Sequence, residues 1–314
     1  EHLKNYFDNW YHVNKLNDLD LITLIRRKNI NILIDLVGHG PGNRLTIFKN
    51  RSAPIQLSWL GYTNTTGLKE MDYIIVDPYL VKKEEKNLYS EKFLFLPSIW
   101  NSHEKFDTKL KITEPPFKKN NYVTFGSFNN FKKISPSVIK IWSKILEETT
   151  GKLILKSSMN NRDDLRKNFL SKFPKQLIKN NKITLMEGQK DKKDHLNLYN
   201  KIDVALDTFP YNGVTTSMEA IWMGVPVLTL KGYNITSRCG ESINVNCNLK
   251  EFIAKDKNDY IHKAIELTKN PDSLCFLKEN LRKEASKSPL FNTKEFTDEL
   301  SKKLINLWEK NNTI

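Results

Sequence analysis

The sequence has few cysteines and no long hydrophobic run, and each shortage excludes a class of protein. Its three cysteines are odd in number and show no CxxC spacing, so neither a disulfide scaffold nor a cysteine zinc site is expected. No apolar run approaches the roughly 18 residues that a membrane span needs. The first residues also lack the basic and then apolar order of a signal peptide. These shortages predict a protein of the reducing cytoplasm with no membrane partner.

Glycine and proline are scarce as well. There are 12 of each in 314 residues, which excludes a collagen-like or linker-dominated chain. The length suits about two domains of roughly 150 residues each. The 50 Lys and Arg residues exceed the 36 Asp and Glu residues, and the net charge of +14 would suit a polyanion. The lysines are spread along the whole chain without a helix-turn-helix, zinc-finger or RNA-recognition signature, so nucleic acid is not expected as a partner.

The first part of the chain has the pattern of one helix followed by strands of one sheet. Apolar residues on one side of the segment predict a helix before residue 30. Short, mostly apolar runs then predict parallel strands at residues 30–37, 55–60, 73–76 and 93–96. A doubly wound domain usually has more strands before this point, so we expect a truncated amino-terminal domain.

A second alternation of strands and helices begins at Tyr122, after the polar, proline-containing stretch PPFKKNN. Ser135 can cap the best-marked helix, and Pro136 suits the first position of that helix. The other predicted elements are strands at residues 122–128, 152–158, 182–188, 204–208 and 226–230, and helices near residues 163–173, from Asp194 and from Thr215. Residues 258–314 are predicted to contain helices only.

This alternation predicts an α/β fold of two doubly wound, Rossmann-like domains with C-terminal helices. GT-B enzymes have this arrangement, and so do several other two-domain nucleotide-binding folds. The predicted domains are residues 1–118 and 119–290, followed by a C-terminal helix at residues 291–314. Ligands in such sheets lie beyond the carboxyl ends of the strands, so the loops that follow strands are the candidates for function.

The loop DTFPYNGVTT at residues 207–216 has the features of an anion site. A strand ends there, Gly213 permits a tight turn, and Thr215 and Thr216 open a helix. Free amides at a helix start and the positive end of its dipole suit a pyrophosphate. The alternative is an ordinary capped helix, because Thr216 and Glu219 also match a capping box.

Two further loops carry cations after predicted strands. Lys132 and Lys133 follow Asn130, and a lysine there can neutralise charge on a leaving diphosphate. Composition alone favours the alternative, a pair of solvated lysines. After the strand KITLMEG, Lys192 and His195 can reach a ribose or stack on a base. The alternative is a histidine that is structural or exposed at a helix start.

The fourth place is a pair of glycine-containing loops in the first domain. GHGPGNR at residues 38–44 contains His39, and WLGYTNTTG at residues 59–67 contains Leu60 and Gly61. Both follow predicted strands and would face the second domain across a cleft. Glycine permits close approach of the backbone to a ligand, although plain turns are the alternative.

These loops lie within four segments that carry a resemblance. The segments are APIQLSWLGYTNTTGLKEMDYIIVDP (53–78), GSFNNFKKISPSVIKIW (126–142), DVALDTFPYNGVTTSMEAIWMGVPVLTL (203–230) and SPLFNTKEF (288–296). Together they resemble the catalytic region of the SPINDLY and protein O-linked N-acetylglucosamine transferase family, glycosyltransferase family 41. The likeness extends from about Ile30 to the last helix, and the third segment is the most specific.

The resemblance implies a GT-B fold and an inverting, metal-independent transfer of a sugar from a nucleotide donor to Ser or Thr of a polypeptide acceptor. By family majority the donor is UDP-GlcNAc, and no metal or other cofactor is expected. Two alternatives stay open within the class, namely transfer of fucose from GDP-fucose and transfer of glucose from UDP-glucose to asparagine. A module that binds a nucleotide sugar without catalysis is the alternative of another class.

The resemblance also assigns roles to individual residues on the donor side. Lys133 matches the lysine that binds the donor diphosphate and is needed for activity, with Asn130 beside the donor. The helix start after Gly213 matches the diphosphate site formed by Val214, Thr215 and Thr216, although family members usually have His or Thr in place of Val214. This departure removes a side-chain donor and leaves the backbone amide.

Further matches concern the ribose, the base and the sugar. Glu219 matches the acidic residue that holds the ribose hydroxyls, Lys192 the ribose-contacting lysine and His195 the base-stacking histidine. Leu60, Gly61 and Tyr211 match positions that line the donor sugar, with His39 on the sugar and acceptor side, and Thr63 replaces a usual proline.

Two family features are missing from the sequence. The histidine-containing segment at the start of the amino-terminal half-domain is not found, and a scan for the 34-residue period of TPR repeats finds none. The prediction is that the chain is a fragment of a longer protein with TPR repeats upstream. The general base therefore stays unassigned.

Overall fold

The computed structural model describes residues 2–157 and 162–312, and its contacts form two compact units. Unit 1 comprises the described residues within 1–76, 82–96 and 300–314, and unit 2 those within 77–81 and 97–299. These bounds differ from the predicted domains, 1–118, 119–290 and 291–314. The reason is that residues after 97 pack within unit 2, where the backbone amide of His103 donates to the carbonyl of Leu290 at 2.8 Å.

Unit 1 is a four-stranded parallel sheet with two helices near its start. Its elements are α1 (Asp18–Arg27), β1 (Ile32–Asp35), α2 (Leu45–Lys49), β2 (Ile55–Ser58), β3 (Tyr73–Val76) and β4 (Lys92–Phe95). The strands lie in chain order, β1-β2-β3-β4, and every pair is parallel. This order is one half of a doubly wound pattern, and it contains the four strands that the sequence predicted.

Unit 2 contains a six-stranded parallel sheet. The strands are β5 (Thr124–Ser127), β6 (Lys152–Ser157), β7 (Ile183–Glu187), β8 (Val204–Leu206), β9 (Val227–Leu230) and β10 (Ile253–Ala254). The order across the sheet is β10-β9-β8-β5-β6-β7. Five of these strands were predicted from apolar runs. The two-residue β10 is too short to leave such a run, and the last residue of the predicted strand 152–158 lies outside the described part of the chain.

The helices of unit 2 connect its strands and continue beyond the last strand. They are α3 (Phe117–Asn120), α4 (Pro136–Glu147), α5 (Asp163–Leu170), α6 (Lys175–Lys179), α7 (Lys192–Asn197), α8 (Thr215–Trp222), α9 (Ile235–Asn246), α10 (Lys257–Lys269) and α11 (Ser273–Ala285). The last helix, α12 (Thr293–Asn312), begins in unit 2 and belongs to unit 1 from residue 300. The helices predicted after residue 258 are confirmed. The sequence prediction had not identified α9. Within residues 2–157 and 162–312, no helix is long and apolar enough to cross a membrane.

Helix α4 shows why the sequence predicts this architecture well. The hydroxyl of Ser135 accepts from the amide of Val138 at 3.3 Å, and Pro136 occupies the first turn. One face of the helix is buried, and Trp142 at its centre has no exposed surface. That face belongs to the buried core of unit 2, which also contains residues of β5 and β6.

The strand order of unit 2 places a switch point at β5. The chain runs from β5 through β6 to β7 on one side, and then returns to β8 on the other side of β5. Connections that leave neighbouring strands in opposite directions open a crevice at the carboxyl ends of those strands, and ligands of parallel sheets bind there. The loops after β5 and β8 are therefore the first candidates for a functional site.

Candidate active site

The loop after β8 is organised around Asp207, which is fully buried. One carboxylate oxygen accepts from the amides of Thr208 at 2.9 Å and Gly213 at 2.7 Å. The other oxygen accepts from the hydroxyl of Thr229 at 2.8 Å. Burial raises the pKa of Asp207 to about 6, while these donors and the charge of Lys133 act in the opposite direction. The carboxylate thus fixes the loop from residue 208 to residue 213.

Gly213 is required by close packing at the end of this loop. A Cβ atom there would lie 2.6 Å from the hydroxyl of Thr216, 2.8 Å from the side-chain oxygen of Asn129 and 2.9 Å from the hydroxyl of Ser217. All three distances are shorter than a carbon contact allows. Gly213 therefore brings the loops after β5 and β8 together.

The start of α8 has the free amides that the sequence predicted. Its N-cap residue is Val214, whose side chain makes no capping hydrogen bond. The capping box of Thr216 and Glu219 is wrong, because the Thr216 hydroxyl instead donates to Asn129 across the site at 2.8 Å. The first amides of a helix have no carbonyl partner within it, so those of Val214, Thr215 and Thr216 remain available to an anion.

Lys133 and Lys132 differ in their surroundings. The Lys133 ammonium donates to the carbonyl of Asn212 at 2.8 Å and lies 4.1 Å from the centre of the Tyr211 ring. Burial lowers the pKa of Lys133, and the negative charge of Asp207 opposes the shift. Lys132 is exposed. Lys133 is therefore held at the loop after β8 and is not one of two equivalent solvated lysines.

Asn130 is exposed and caps the short helical turn Phe131–Lys133. Its side-chain oxygen accepts from the amide of Lys132 at 3.0 Å. This contact orders the turn that carries Lys133. The place of Asn130 beside a ligand stays a prediction.

His195 of α7 and Glu219 of α8 form a hydrogen-bonded pair. Nε2 of His195 lies 2.9 Å from Oε2 of Glu219, and the hydroxyl of Tyr199 donates to the same oxygen at 3.0 Å. Nδ1 of His195 lies 3.2 Å from Nζ of Lys156. The rings of His195 and Tyr199 both lie near the ring of Phe128. The distance between ring centres is 6.4 Å for His195 and 4.6 Å for Tyr199. The predicted ribose and base residues are thus in direct contact.

Lys192 lies at the first position of α7, on the surface. The helix begins two residues before Asp194, the predicted start, because the carboxylate of Asp191 caps it by accepting from the amides of Lys193 at 2.8 Å and Asp194 at 3.0 Å. The Lys192 ammonium lies 5.0 Å from the centre of the Phe106 ring. The Phe106 ring is not part of the hydrogen-bonded network of Glu219, to which His195 belongs.

In unit 1 the structure brings His39, Leu60 and Gly61 into one pair of packed loops. Nε2 of His39 lies 2.8 Å from the carbonyl oxygen of Thr66. Leu60 has a positive φ of 70°, and a Cβ on Gly61 would lie only 1.9 Å from the carbonyl oxygen of Leu36. Gly61 is therefore required by contact between the loops after β1 and β2, which is more than a plain turn needs.

The residues of the unit 2 site that the sequence prediction missed include Asn129, Lys156, Tyr199 and Asp207. Asp207 could have been found, because a carboxylate at the end of an apolar strand needs hydrogen-bond donors. Lys156 likewise interrupts an apolar strand. Asn129 has no such signal, since its partner Thr216 is 87 residues away in the chain. In residues 2–157 and 162–312, no group of three or more His, Cys, Asp or Glu side chains could hold a metal ion, and metal independence stays a prediction.

Comparison with known proteins identifies the family. Residues 18–114 and 114–300 match the family model described as glycosyl transferase family 41. The chain belongs to glycosyl transferase family 41. A relative from Eustoma exaltatum subsp. russellianum, a probable UDP-N-acetylglucosamine–peptide N-acetylglucosaminyltransferase SPINDLY, is 32% identical over 96% of this chain and 33% of its own length. The SEC protein of Arabidopsis thaliana, with the same enzyme name, is 26% identical over 98% of this chain and 32% of its own.

The chain thus spans about a third of the length of these curated family 41 relatives. Among solved structures, the Thermobaculum terrenum O-GlcNAc transferase mutant K341M is similar with a TM-score of 0.85 and 31% identity, over 98% of this chain and 59% of that chain. Anabaena HepE in complex with UDP and glucose has a TM-score of 0.59 at 11% identity, over 95% of this chain and 84% of its own. The HepE likeness concerns the fold alone. The predicted α/β fold of GT-B type is confirmed.

Proposed function

We propose that this family 41 chain is the catalytic part of an inverting protein glycosyltransferase that moves GlcNAc from UDP-GlcNAc to Ser or Thr of a polypeptide. The observation that carries the proposal is the position of Lys133 at the switch point of unit 2. Its ammonium donates to the carbonyl of Asn212 at 2.8 Å. Asn212 belongs to the loop that leads into the free amides of α8. The enzyme names of the SPINDLY and SEC relatives favour the same donor and a peptide acceptor.

In the proposed reaction an acceptor hydroxyl attacks the anomeric carbon of the donor sugar. The new glycosidic bond forms as the bond to the diphosphate oxygen breaks, and negative charge grows on the leaving diphosphate. The hydroxyl proton leaves to solvent or to a general base, a role that is assigned to no residue of this chain. Lys133 and the amides of Val214, Thr215 and Thr216 stabilise this charge, a contribution that is largest in the transition state. Protein donors thus supply the positive charge that a metal supplies in other enzymes.

The remaining residues bind the nucleoside. Glu219 accepts from the ribose hydroxyls through an oxygen that is not engaged by His195 and Tyr199, whose hydrogen bonds both go to Oε2. His195 and Lys192 contact the base and ribose from the start of α7. The family resemblance assigns Tyr211 of unit 2 to the donor sugar, and it assigns Leu60, Gly61 and His39 of unit 1 to the sugar and acceptor side.

Equilibrium binding of UDP, GDP, UDP-GlcNAc and GDP-fucose by calorimetry, in buffer with EDTA, tests the donor. We expect UDP and UDP-GlcNAc to bind most tightly without a divalent cation. Transfer to a Ser/Thr peptide is then followed by mass spectrometry. A preference for GDP would mean that the donor is GDP-fucose and not UDP-GlcNAc. A product glycosylated on asparagine would mean that the acceptor is not Ser or Thr. Strict dependence on Mg²⁺ or Mn²⁺ would contradict the metal-free scheme. Binding without transfer by the full-length protein would indicate a non-catalytic module.

A further inference from the structure

Lys156 has no role in the reaction proposed above, although it lies beside the nucleoside residues. It is close to the carboxyl end of β6 and is partly buried. Its ammonium lies 3.2 Å from Nδ1 of His195 and 6.0 Å from the centre of the Phe128 ring. Burial lowers the pKa of Lys156, and the carboxylate of Glu219 opposes that shift. A cation in this position restricts what the imidazole can do.

The contact with Lys156 fixes the tautomer of His195. An ammonium has three donors and no acceptor, so Nδ1 must accept the hydrogen bond at 3.2 Å. A neutral imidazole that accepts at Nδ1 carries its proton on Nε2. Nε2 then donates to Oε2 of Glu219 at 2.9 Å. The direction of every hydrogen bond in the chain from Lys156 to Glu219 is therefore determined.

The same chain orients the carboxylate of Glu219. Its Oε2 receives a hydrogen bond from His195 and a second one from the hydroxyl of Tyr199 at 3.0 Å. The Tyr199 hydroxyl shares its single hydrogen with the carbonyl of Thr216 at 3.1 Å. Two donors on one oxygen hold the carboxylate plane and leave Oε1 as the remaining acceptor. If Nδ1 carried the proton, Nε2 would present a lone pair to Oε2, and one of the two donors would be lost.

We propose that Lys156 is a positioning residue, which holds His195 in the Nε2–H tautomer and thereby presents Oε1 of Glu219 to the ribose of the nucleotide. The inference rests on the proposed function, because that function supplies the ribose. Lys156 acts through His195 and Glu219 and does not itself contact the nucleotide. Its loss should weaken the binding of nucleoside and nucleoside diphosphate by the same factor.

The first experiment measures the tautomer without any nucleotide. Long-range ¹H–¹⁵N spectra of the uniformly labelled chain distinguish Nδ1–H from Nε2–H, and His195→Gln assigns the signal among the six histidines of the sequence. We expect the Nε2–H form in the native chain and in Lys156→Arg, and a mixture of both forms in Lys156→Met. Lys152→Met, at the opposite end of the same strand, is the matched control and should leave the signal unchanged. An Nδ1–H form in the native chain, or an identical spectrum in Lys156→Met, would overturn the inference.

The second experiment measures affinity for UDP and for uridine by titration, with GDP and guanosine used instead if the native chain prefers them. We expect the Kd of both ligands to rise about five- to tenfold in Lys156→Met, because a charge-assisted hydrogen bond to the ribose is weakened. Lys156→Arg should restore most of the affinity. A loss for UDP that clearly exceeds the loss for uridine would mean direct contact with phosphate and would overturn the positioning role. A native chain that binds no nucleoside diphosphate would refute the proposed function, while the tautomer result would stand by itself.

Discussion

Unit 1 and unit 2 each fix a loop with an aspartate at the end of a strand, but the two loops carry different additional groups. In unit 1, Asp35 at the end of β1 accepts from the amides of Val37 at 3.2 Å and Gly38 at 2.6 Å. In unit 2, Asp207 after β8 accepts from the amides of its own loop in the same manner. The loop of unit 2 also receives the ammonium of Lys133 and leads into the free amides of α8. An aspartate after a strand thus builds a loop, and the cation with the helix start makes that loop an anion site.

The largest expected effect comes from removing the ammonium of Lys133 while the hydrogen bonds of Asp207 to its loop are left in place. Lys133→Ala in the full-length protein should reduce kcat by about two to three orders of magnitude, which is the usual loss for one electrostatic contact made mainly in the transition state. Steady-state kinetics with a peptide acceptor measure this loss. Lys132→Ala is the matched control, since Lys132 is exposed and its amide, not its side chain, contacts Asn130.

Measurements of stability distinguish a catalytic role of Lys133 from a structural role. Lys133 is held by Asn212 and Tyr211, so its removal should lower the melting temperature slightly, whereas Lys132→Ala should leave it unchanged. Equal losses of activity in the two variants would mean two equivalent surface lysines. A loss in Lys133→Ala that unfolding fully accounts for would remove its proposed role in catalysis.

The second prediction concerns the protonation of three buried aspartates in unit 2. Burial raises the pKa of Asp207, Asp203 and Asp77 from 3.8 to about 6 in each case. The folded chain then binds these protons more tightly than the unfolded chain, so its free energy of unfolding falls as pH rises from about 4 to 6. Each group contributes up to about 3 kcal/mol to this fall. Burial also lowers the pKa of Lys278, but only to about 8, so Lys278 adds no slope in this range.

Urea unfolding at a series of pH values from 4 to 7 measures the slope. Asp207→Asn is the informative variant, because its amide oxygen can accept from Thr208 and Gly213 while its NH₂ group donates to the Thr229 hydroxyl. We expect this variant to fold and to show a smaller decrease of stability with pH than the native chain. An unchanged slope in Asp207→Asn would mean that the carboxyl of Asp207 does not titrate in this range.

The third prediction compares a glycine from each unit. Gly213→Ala forces a Cβ against side-chain oxygens, which can shift, whereas Gly61→Ala forces one to 1.9 Å from the backbone oxygen of Leu36. We expect Gly213→Ala to cost about 1–3 kcal/mol of stability and to weaken UDP binding by about tenfold. Gly61→Ala should destabilise the chain more and weaken UDP binding less. Calorimetric unfolding and UDP titration of both variants test this, and the reverse ranking would contradict the assignment of the anion site to unit 2.

Local patterns predicted the strands, the helix α4 and the loops of the site, because apolar periodicity, caps and glycine turns act over a few residues. The choice of Lys133 over Lys132 came from the family resemblance, since composition does not distinguish neighbouring lysines. The capping box failed for a different reason. The Thr216 hydroxyl has a better partner in Asn129, and a contact between residues 87 positions apart is set by the strand order of the sheet.

The hydrogen bonds of Lys156 with His195, and of Asp207 with Thr229, depend on the same long-range arrangement. Strands β5, β6 and β8, and the helix that follows β7, each contribute residues to the site. The types of these residues are visible in the sequence, but their partners are visible only once the strands are ordered.

The smallest expected effect is a gain at the one position where the helix start departs from the family pattern. Val214 caps α8 without a side-chain hydrogen bond, and threonine has almost the same shape with a hydroxyl added. In Val214→Thr the hydroxyl oxygen can accept from the amide of Ser217, which is not among the amides proposed to bind the diphosphate, and should stabilise the helix by about 0.5–1 kcal/mol. Its hydrogen remains free to donate to the diphosphate, so we expect UDP to bind about two- to threefold more tightly. Thermal unfolding and UDP titration separate the two contributions, with Val214→Ala as the control that removes the side chain and adds no donor. Greater stability with no gain in affinity would place the diphosphate away from Val214, and a gain in affinity in both variants would indicate that the valine side chain only obstructs the ligand.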